Sequence, residues 1–495
     1  MHSITIVAVL FAYLVVLLWI GHWGGRDSGD VKGYFVAGKR LPAWVIAFSS
    51  NATGESAWLL LGLTGMGYLV GIHALWITLG EVLGVAVAWA CVARPFKEYT
   101  DRYDSVTVPD YLESRLRDRR HVLRVVSAAI VFSMVMAYTA AQLTASGKAF
   151  GSFLGLDYRW GVLIGAAVVL YYTGVGGFKA VAYSDLLQGV LMFGCLLTLP
   201  IVGIAAAGGW SRLMEGLAAA DPALLTPMGP LGLTPEGVAS ALGFVGIGLA
   251  FLGSPQLLTR FMAARDQGQI VKGGLLAVPC MIVFDLGAVL SGFAGRVLFP
   301  GLDDHETILP VMSSELFPSV FTGLFLVVVL AAIMSTVDSL LILASSALIR
   351  DVVQKILNPR LSERRLSLLG KLTTVVIGAG ALVLALARPR MIFWFVLFAW
   401  SGLACAFTPV VLCTLFWRRA TLPGAVAGMT GGFATAVVWV LVLKDRFYGL
   451  YEMLPGFLAA FLLTVAVSLA TRPPEGAAEE LDAVHRAVGP ASRRR

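Results

Sequence analysis

The sequence predicts an all-α polytopic membrane protein with about thirteen transmembrane helices, and three observations carry that prediction. Hydrophobic residues make up 58% of the chain and charged residues only 14%, where a soluble protein carries about 25% charged residues. Mean hydropathy is +0.82. Apolar segments of about 20 residues, the length that spans a bilayer, recur from one end of the chain to the other. The 12 Trp and 54 Gly suit membrane helices, where aromatic belts form and glycine permits close packing.

Taken in order, the apolar segments run over 4–20, 42–71, 74–93, 122–150, 160–176, 182–207, 236–259, 272–298, 316–348, 370–387, 391–417, 423–443 and 450–471. The first lacks a positive leader and a small-residue cleavage site, so it reads as a retained helix. Basic residues then set the orientation. With the N-terminus outside, Arg26, Lys32, Lys39 and Arg40 fall inside, as do the basic residues from Arg94 to Arg120 and Arg260, Arg265 and Lys272. Those from Arg350 to Lys371, Arg418, Arg419 and the terminal Arg493-Arg494-Arg495 fall on the same side. Arg159, Arg212, Arg388 and Lys444 are scattered outside. This positive-inside bias predicts N-out, C-in. The net charge of +7 is thus topological and does not point to nucleic acid. The polar stretch 472–495 reads as a cytoplasmic tail, flexible or a short helix, and no second soluble domain fits.

Several chemistries are excluded. The sequence has no GxxxxGK[ST] phosphate loop, HExxH, CxxC or spaced histidine cluster, so neither an ATP-driven pump nor a metal enzyme is indicated. Cys91, Cys195, Cys280, Cys405 and Cys413 all lie in apolar segments, an odd number with none in outside loops, which argues against disulfides.

The segment 316–348 carries the most informative anomaly. Met334-Ser335-Thr336-Val337-Asp338-Ser339 interrupts a stretch fit for lipid. A mid-membrane carboxylate costs about 2.5–3.5 kcal/mol on insertion scales, so it normally faces a partner, a cavity or an ion. Ser335, Asp338 and Ser339 share a helix face by their i, i+3, i+4 spacing, and their oxygens suit a hard cation such as Na+. Two other segments are interrupted: the second by Ser49-Ser50-Asn51-Ala52-Thr53-Gly54-Glu55-Ser56-Ala57-Trp58, the seventh by Gly243, Gly246, Gly248 and Gly253-Ser254-Pro255. Such breaks free backbone groups that membranes tolerate only beside protein or a cavity. Five helices apart, they occupy corresponding places in two five-helix halves, the pattern of an inverted-repeat transporter that binds at its breaks.

These stretches resemble the sodium:solute symporter family. The resemblance is carried by Ser49 to Trp58 with Leu59-Leu60-Leu61-Gly62-Leu63, by Gly174-Val175-Gly176-Gly177-Phe178 leading to Asp185-Leu186-Leu187-Gln188, by Pro255 with Arg260-Phe261-Met262-Ala263, and by Ala332 to Ser339. Gly449-Leu450-Tyr451-Glu452-Met453-Leu454-Pro455-Gly456-Phe457 is similar to sodium/proline symporters in particular. The likeness implies a LeuT-type inverted five-helix repeat. An extra helix at 4–20 would precede a first repeat at 42–207 and a second at 236–417, with two extra helices at 423–471; together they make a transmembrane domain at 1–471.

The resemblance also implies sites. The main sodium site would use the backbone carbonyls of Ala52, Glu55 and Ala332 with the hydroxyls of Ser335 and Thr336. A second sodium site would draw on Asp185, Asp338 and Ser339 together with Ser335, unless Asp185 pairs with a cation such as Lys179. Ser56, Trp58, Tyr138, Ile247, Phe251, Ser254 and Pro255 match solute-binding positions. The chain departs from the sodium/proline pattern in three ways. Gly54 stands where those proteins have aspartate, Ile247 and Phe251 replace a tryptophan and a tyrosine, and Glu81 and Asp285 add carboxylates to apolar segments. Glu55, Glu81 and Asp285 are therefore candidates for coupling or proton carriage, or for facing a cationic solute. The expected protein is a symporter that takes up a small organic solute, such as proline or a related amino acid, by alternating access. Na+ is its coupling ion, with H+ through Glu55 as the alternative, and a transporter-like solute sensor is the alternative from another class. It is expected to be a monomer in a bacterial inner membrane, with solute, sodium and lipid as its partners.

Overall fold

The computed structural model describes residues 2–387 and 392–489. Arg388 and the terminal arginines, counted above in the charge bias, lie outside the described residues. Among those described, the chain is helical throughout, and one isolated bridge joins Leu41 to Ala264.

Among the described residues, eleven helical stretches are long and apolar enough to cross a membrane. Two are far longer than a bilayer requires: Ala43–Arg102 with 60 residues and Tyr158–Ala206 with 49. At 1.5 Å per residue either would reach at least about 70 Å if straight, against an apolar thickness of about 30 Å. Both are broken by glycine. The first passes through a tight turn at Gly71–Ala74, where Gly71 has φ +58°. The second breaks at Gly177, with φ +63° and ψ −169°, a region that glycine enters without steric cost. Each is therefore long enough for two crossings.

The two interrupted segments behave as their composition predicts. The helix Ala43–Ala57 breaks at Ser56, with φ +55° and ψ −169°, and continues into a wider turn at Trp58–Leu63. The helix Pro235–Gly246 tightens into a 3-10 turn at Ile247–Leu252, stops at Gly253 and restarts as Pro255–Ala263. Proline at the first helical position has no N–H to leave unpaired. Between these segments runs Ser319–Ser346, with 83% of the best apolar window in its stretch buried. It packs on Ala43–Ala57, Val122–Leu154, Tyr158–Ala206 and His2–Gly25. A helix surrounded by protein rather than lipid can hold polar side chains, which is why Ser335–Ser339 is tolerated there.

A backbone-to-backbone seam fixes one wall of the centre. A Cβ at Gly248 would lie 1.8 Å from the Gly80 carbonyl oxygen, and one at Gly84 would lie 2.2 Å from that of Gly248. No side chain fits between these helices. Gly248→Ala is expected to destabilise the protein by about 1–3 kcal/mol, the typical range for forced overpacking. Gly194→Ala, where an added Cβ meets nothing within 4 Å, serves as the control. A thermal-unfolding midpoint of Gly248→Ala equal to that of the control would contradict the seam.

On the face that carries the basic loops, Arg124 is buried and paired with Asp110, Glu113 and Asp351, while Arg350 also reaches Asp110. These pairs tie Val108–Leu116 to the C-terminal extension of Ser319–Ser346. The tail contains a helix, Ala477–Val488, whose Ala477 carbonyl accepts from Arg115 and whose His485 pairs with the Leu415 carbonyl. All five cysteines are free.

Candidate ion and solute sites

Ser335 and Thr336 face the first broken helix. The Ser335 hydroxyl donates to the Ala52 carbonyl at 2.9 Å and to the Ala332 carbonyl at 3.1 Å. The Thr336 hydroxyl donates to the Thr53 carbonyl at 3.1 Å and to that of Ala332 at 3.3 Å. Neutral oxygens from two helices thus converge in a buried spot, the donor set that a hard monovalent cation takes. The Glu55 carbonyl is placed differently from the others, since it accepts from the Trp58 N–H as the helix turns past its break.

Asp185, Asp338 and Ser339 gather beside Ser335, all buried, and the Ser335 carbonyl accepts from Thr53 and Ser339. Asp338 accepts from the Tyr172 hydroxyl at 2.7 Å and from Ser339 at 3.2 Å. The alternative pairing of Asp185 with Lys179 is not what the structure shows. Lys179 pairs with Asp27, and Asp185 takes Arg260 at 2.9 Å and Ser49 at 2.6 Å. Arg260 is the correction to the loop-charge reading. It is fully buried, and its guanidinium donates to Thr53, Ser49 and Ser339 as well as to Asp185. An arginine following an apolar segment has the same sequence signature whether it sits in a loop or turns inward.

A small cavity of ≈ 10 Å³ is lined by Gly54, Trp58, Glu81, Tyr138, Ile247, Val396, Leu397 and Trp400. Trp58, Tyr138 and Ile247 from the expected solute set therefore come together, and Ser56 is the break that precedes Trp58. Phe251 packs behind the lining, edge-on to Trp400 with ring centroids 5.3 Å apart. Ser254 and Pro255 are buried at the restart of the second broken helix, away from the lining. Trp400 is the residue that sequence reasoning missed; its indole donates to the Ile247 carbonyl at 3.3 Å. An aromatic in an apolar helix carries no mark that separates a cavity wall from packing. A second cavity of ≈ 470 Å³, lined among others by Leu69, Glu236, His305 and Tyr448, shares Ile247 and Leu397 with the first.

Two of the departures from the sodium/proline pattern touch each other. A Cβ at Gly54 would sit 2.7 Å from the Phe251 ring, so this ring fills the space that a side chain at 54 would need. The remaining carboxylates gather: one oxygen from each of Glu55, Glu81 and Asp285 lies within 4.8 Å of the others.

Two broken helices around a buried hydroxyl-bearing helix define a secondary transporter of the LeuT fold. Solved structures of that fold agree. A Na+-coupled sialic acid symporter superposes with a TM-score of 0.81 at 20% identity, over 95% of this chain and 98% of the other. MhsT in complex with L-phenylalanine gives 0.56 at 13% identity, over 86% of this chain and 99% of the other. The profile of the sodium:solute symporter family matches residues 34–432. The sodium/proline symporter of Staphylococcus aureus (strain JH9) is 33% identical over 488 residues, covering 96% of this chain and 94% of that protein. The chain belongs to the sodium:solute symporter family. It is a multi-pass plasma-membrane transporter rather than an enzyme, and it couples sodium to the movement of a small solute.

Proposed function

We propose that the solute is proline or a related small amino acid, taken up with sodium bound by Ala52, Ala332, Ser335, Thr336 and the Glu55 carbonyl. One observation supports this most: the Ser335 and Thr336 hydroxyls meet the Ala52 and Thr53 carbonyls of the broken helix at 2.9 and 3.1 Å. Sodium there ties the broken helix to Ser319–Ser346 and so orders the break at Ser56 and with it Trp58, which lines the solute cavity. Coupling is the free energy by which each ligand raises the affinity of the other. One sodium ion entering down 100 mV supplies about 2.3 kcal/mol, enough to accumulate solute. The sodium/proline symporter relative favours proline, while Ile247 and Phe251 in place of larger polar aromatics favour a relative of proline with a more apolar side.

The long broken stretches support thirteen crossings, N-out and C-in, with the repeats at 42–207 and 236–417 inside a 1–471 domain and a cytoplasmic tail. In that orientation the ≈ 470 Å³ cavity is an outer vestibule, and Ile247 and Leu397 stand between it and the solute. Asp185, Asp338 and Ser339 serve a second sodium ion only in a conformation from which Arg260 has withdrawn. The transporter acts as a monomer in a lipid bilayer.

Proteoliposomes test this reading. Labelled proline is expected to accumulate when an inward sodium gradient is imposed and not when choline replaces sodium. Sialic acid and phenylalanine, the ligands of the structural relatives, are the comparison arms; accumulation of either in preference to proline and its analogues would displace the amino-acid assignment made here. Trp58→Ala is expected to weaken solute affinity at least tenfold while sodium binding without solute stays within about threefold. The tenfold loss corresponds to about 1.4 kcal/mol of contact with the solute. An equal loss of both would make Trp58 a packing residue.

A further inference from the structure

Glu55, Glu81 and Asp285 reach one point from three different helical segments, and their side chains are 0%, 2% and 0% exposed. Both carboxylate oxygens of Glu55, both of Asp285 and Oε2 of Glu81 have no hydrogen-bond partner. Leaving one buried polar atom unsatisfied costs about 1–3 kcal/mol, and more when it is charged. Buried polar groups are almost always partnered, so several orphaned oxygens facing one another indicate a missing ligand.

Neighbouring oxygens point the same way. Asn51, one turn before Glu55, gives its amide N–H to the Ala277 carbonyl on the helix of Asp285 at 2.8 Å, which leaves its Oδ1 buried and unpartnered. Thr78, one turn before Glu81 on the same face, is also buried with a free hydroxyl. The donor set is thus oxygen only. It differs in kind from the main sodium site, where every ligand is neutral. Three carboxylates bring up to three negative charges, which a divalent ion balances better than a monovalent one. Oxygen-rich, carboxylate-dominated sites suit Ca2+, Mn2+ and Mg2+. Glu81 also lines the ≈ 10 Å³ cavity beside Trp58 and Tyr138.

We propose that Glu55, Glu81 and Asp285 form a further site for a hard metal cation, separate from the Ser335–Thr336 site and from the Asp185–Asp338–Ser339 cluster, and independent of which solute is carried. Charge balance makes a divalent ion its preferred occupant. The site sits at the back of the solute cavity, where a bound cation fixes Glu55 and with it the end of the broken helix.

Equilibrium binding to the purified full-length protein tests this with Ca2+, Mn2+ and 22Na+ as separate probes. The expected result is one saturable divalent ion per protein, with affinity lowered at least tenfold in Glu81→Gln and in Asp285→Asn. The Ser335→Ala, Thr336→Ala double variant keeps that component and loses sodium at the main site, so failure of one site is distinguishable from failure of the other. Each amide replacement keeps the shape of the side chain, and size-exclusion profiles confirm folding. If only 22Na+ shows a component that depends on Glu81 and Asp285, the cation site stands and its ion is sodium. Equal binding of all three probes to wild type and to folded Glu81→Gln overturns the proposal, as does the absence of any component beyond the main site in the wild type.

Discussion

Replacing Ser335 and Thr336 together by alanine is expected to raise the sodium concentration for half-maximal uptake at least tenfold, the largest functional effect foreseen for this chain. Both hydroxyls lie within 3.3 Å of carbonyls from the broken helix or from Ala332. Removing them deletes two of the proposed oxygen ligands, and a factor of ten corresponds to a loss of only about 1.4 kcal/mol. The main chain of Ser319–Ser346 should be little affected, because alanine is the best helix former. Sodium-titrated uptake in proteoliposomes measures the shift. An unchanged sodium dependence in a folded double variant removes these hydroxyls from the ion site.

The second large effect concerns stability. Arg260→Ala leaves Asp185 buried without its cation and withdraws donors from Ser49, Thr53 and Ser339. Breaking a buried pair by removing one partner costs about 3–5 kcal/mol. Replacing both members with neutral groups, Arg260→Met with Asp185→Asn, is expected to recover much of that loss, since Asp185 then carries no uncompensated charge. A double-mutant cycle read by thermal unfolding isolates the pair. A double variant no more stable than Arg260→Met alone would show that the arginine matters through packing and not through its pairing with Asp185.

How much of this was legible in the sequence differs from residue to residue. The Ser335–Ser339 cluster announced itself because hydroxyls and a carboxylate are costly in an apolar helix. The broken helices were equally legible, since glycine and proline interrupt a segment otherwise fit to span. Glu55, Glu81 and Asp285 each stood out for the same reason, yet their meeting did not, because it depends on the relative rotation of the segments that carry them. Arg260 was hidden by position: it follows an apolar run, as loop arginines do, and its partner Asp185 lies 75 residues away. Trp400 was hidden by chemistry, being apolar among apolar neighbours. The clash between a side chain at 54 and the Phe251 ring links two sequence departures that looked unrelated until both were placed in space.

The glycine seam at Gly80, Gly84 and Gly248 bears on how such a protein can diversify. With carbonyl oxygens lying where any Cβ would go, a lineage adapting to a new solute cannot widen or narrow its binding cleft by re-spacing these helices. Substitutions there are lost to misfolding before recognition can be selected. Adaptive change is channelled instead into the side chains beside the seam, Ile247 and Phe251 among them. Descendants of this chain are expected to keep their three glycines while their specificities drift apart.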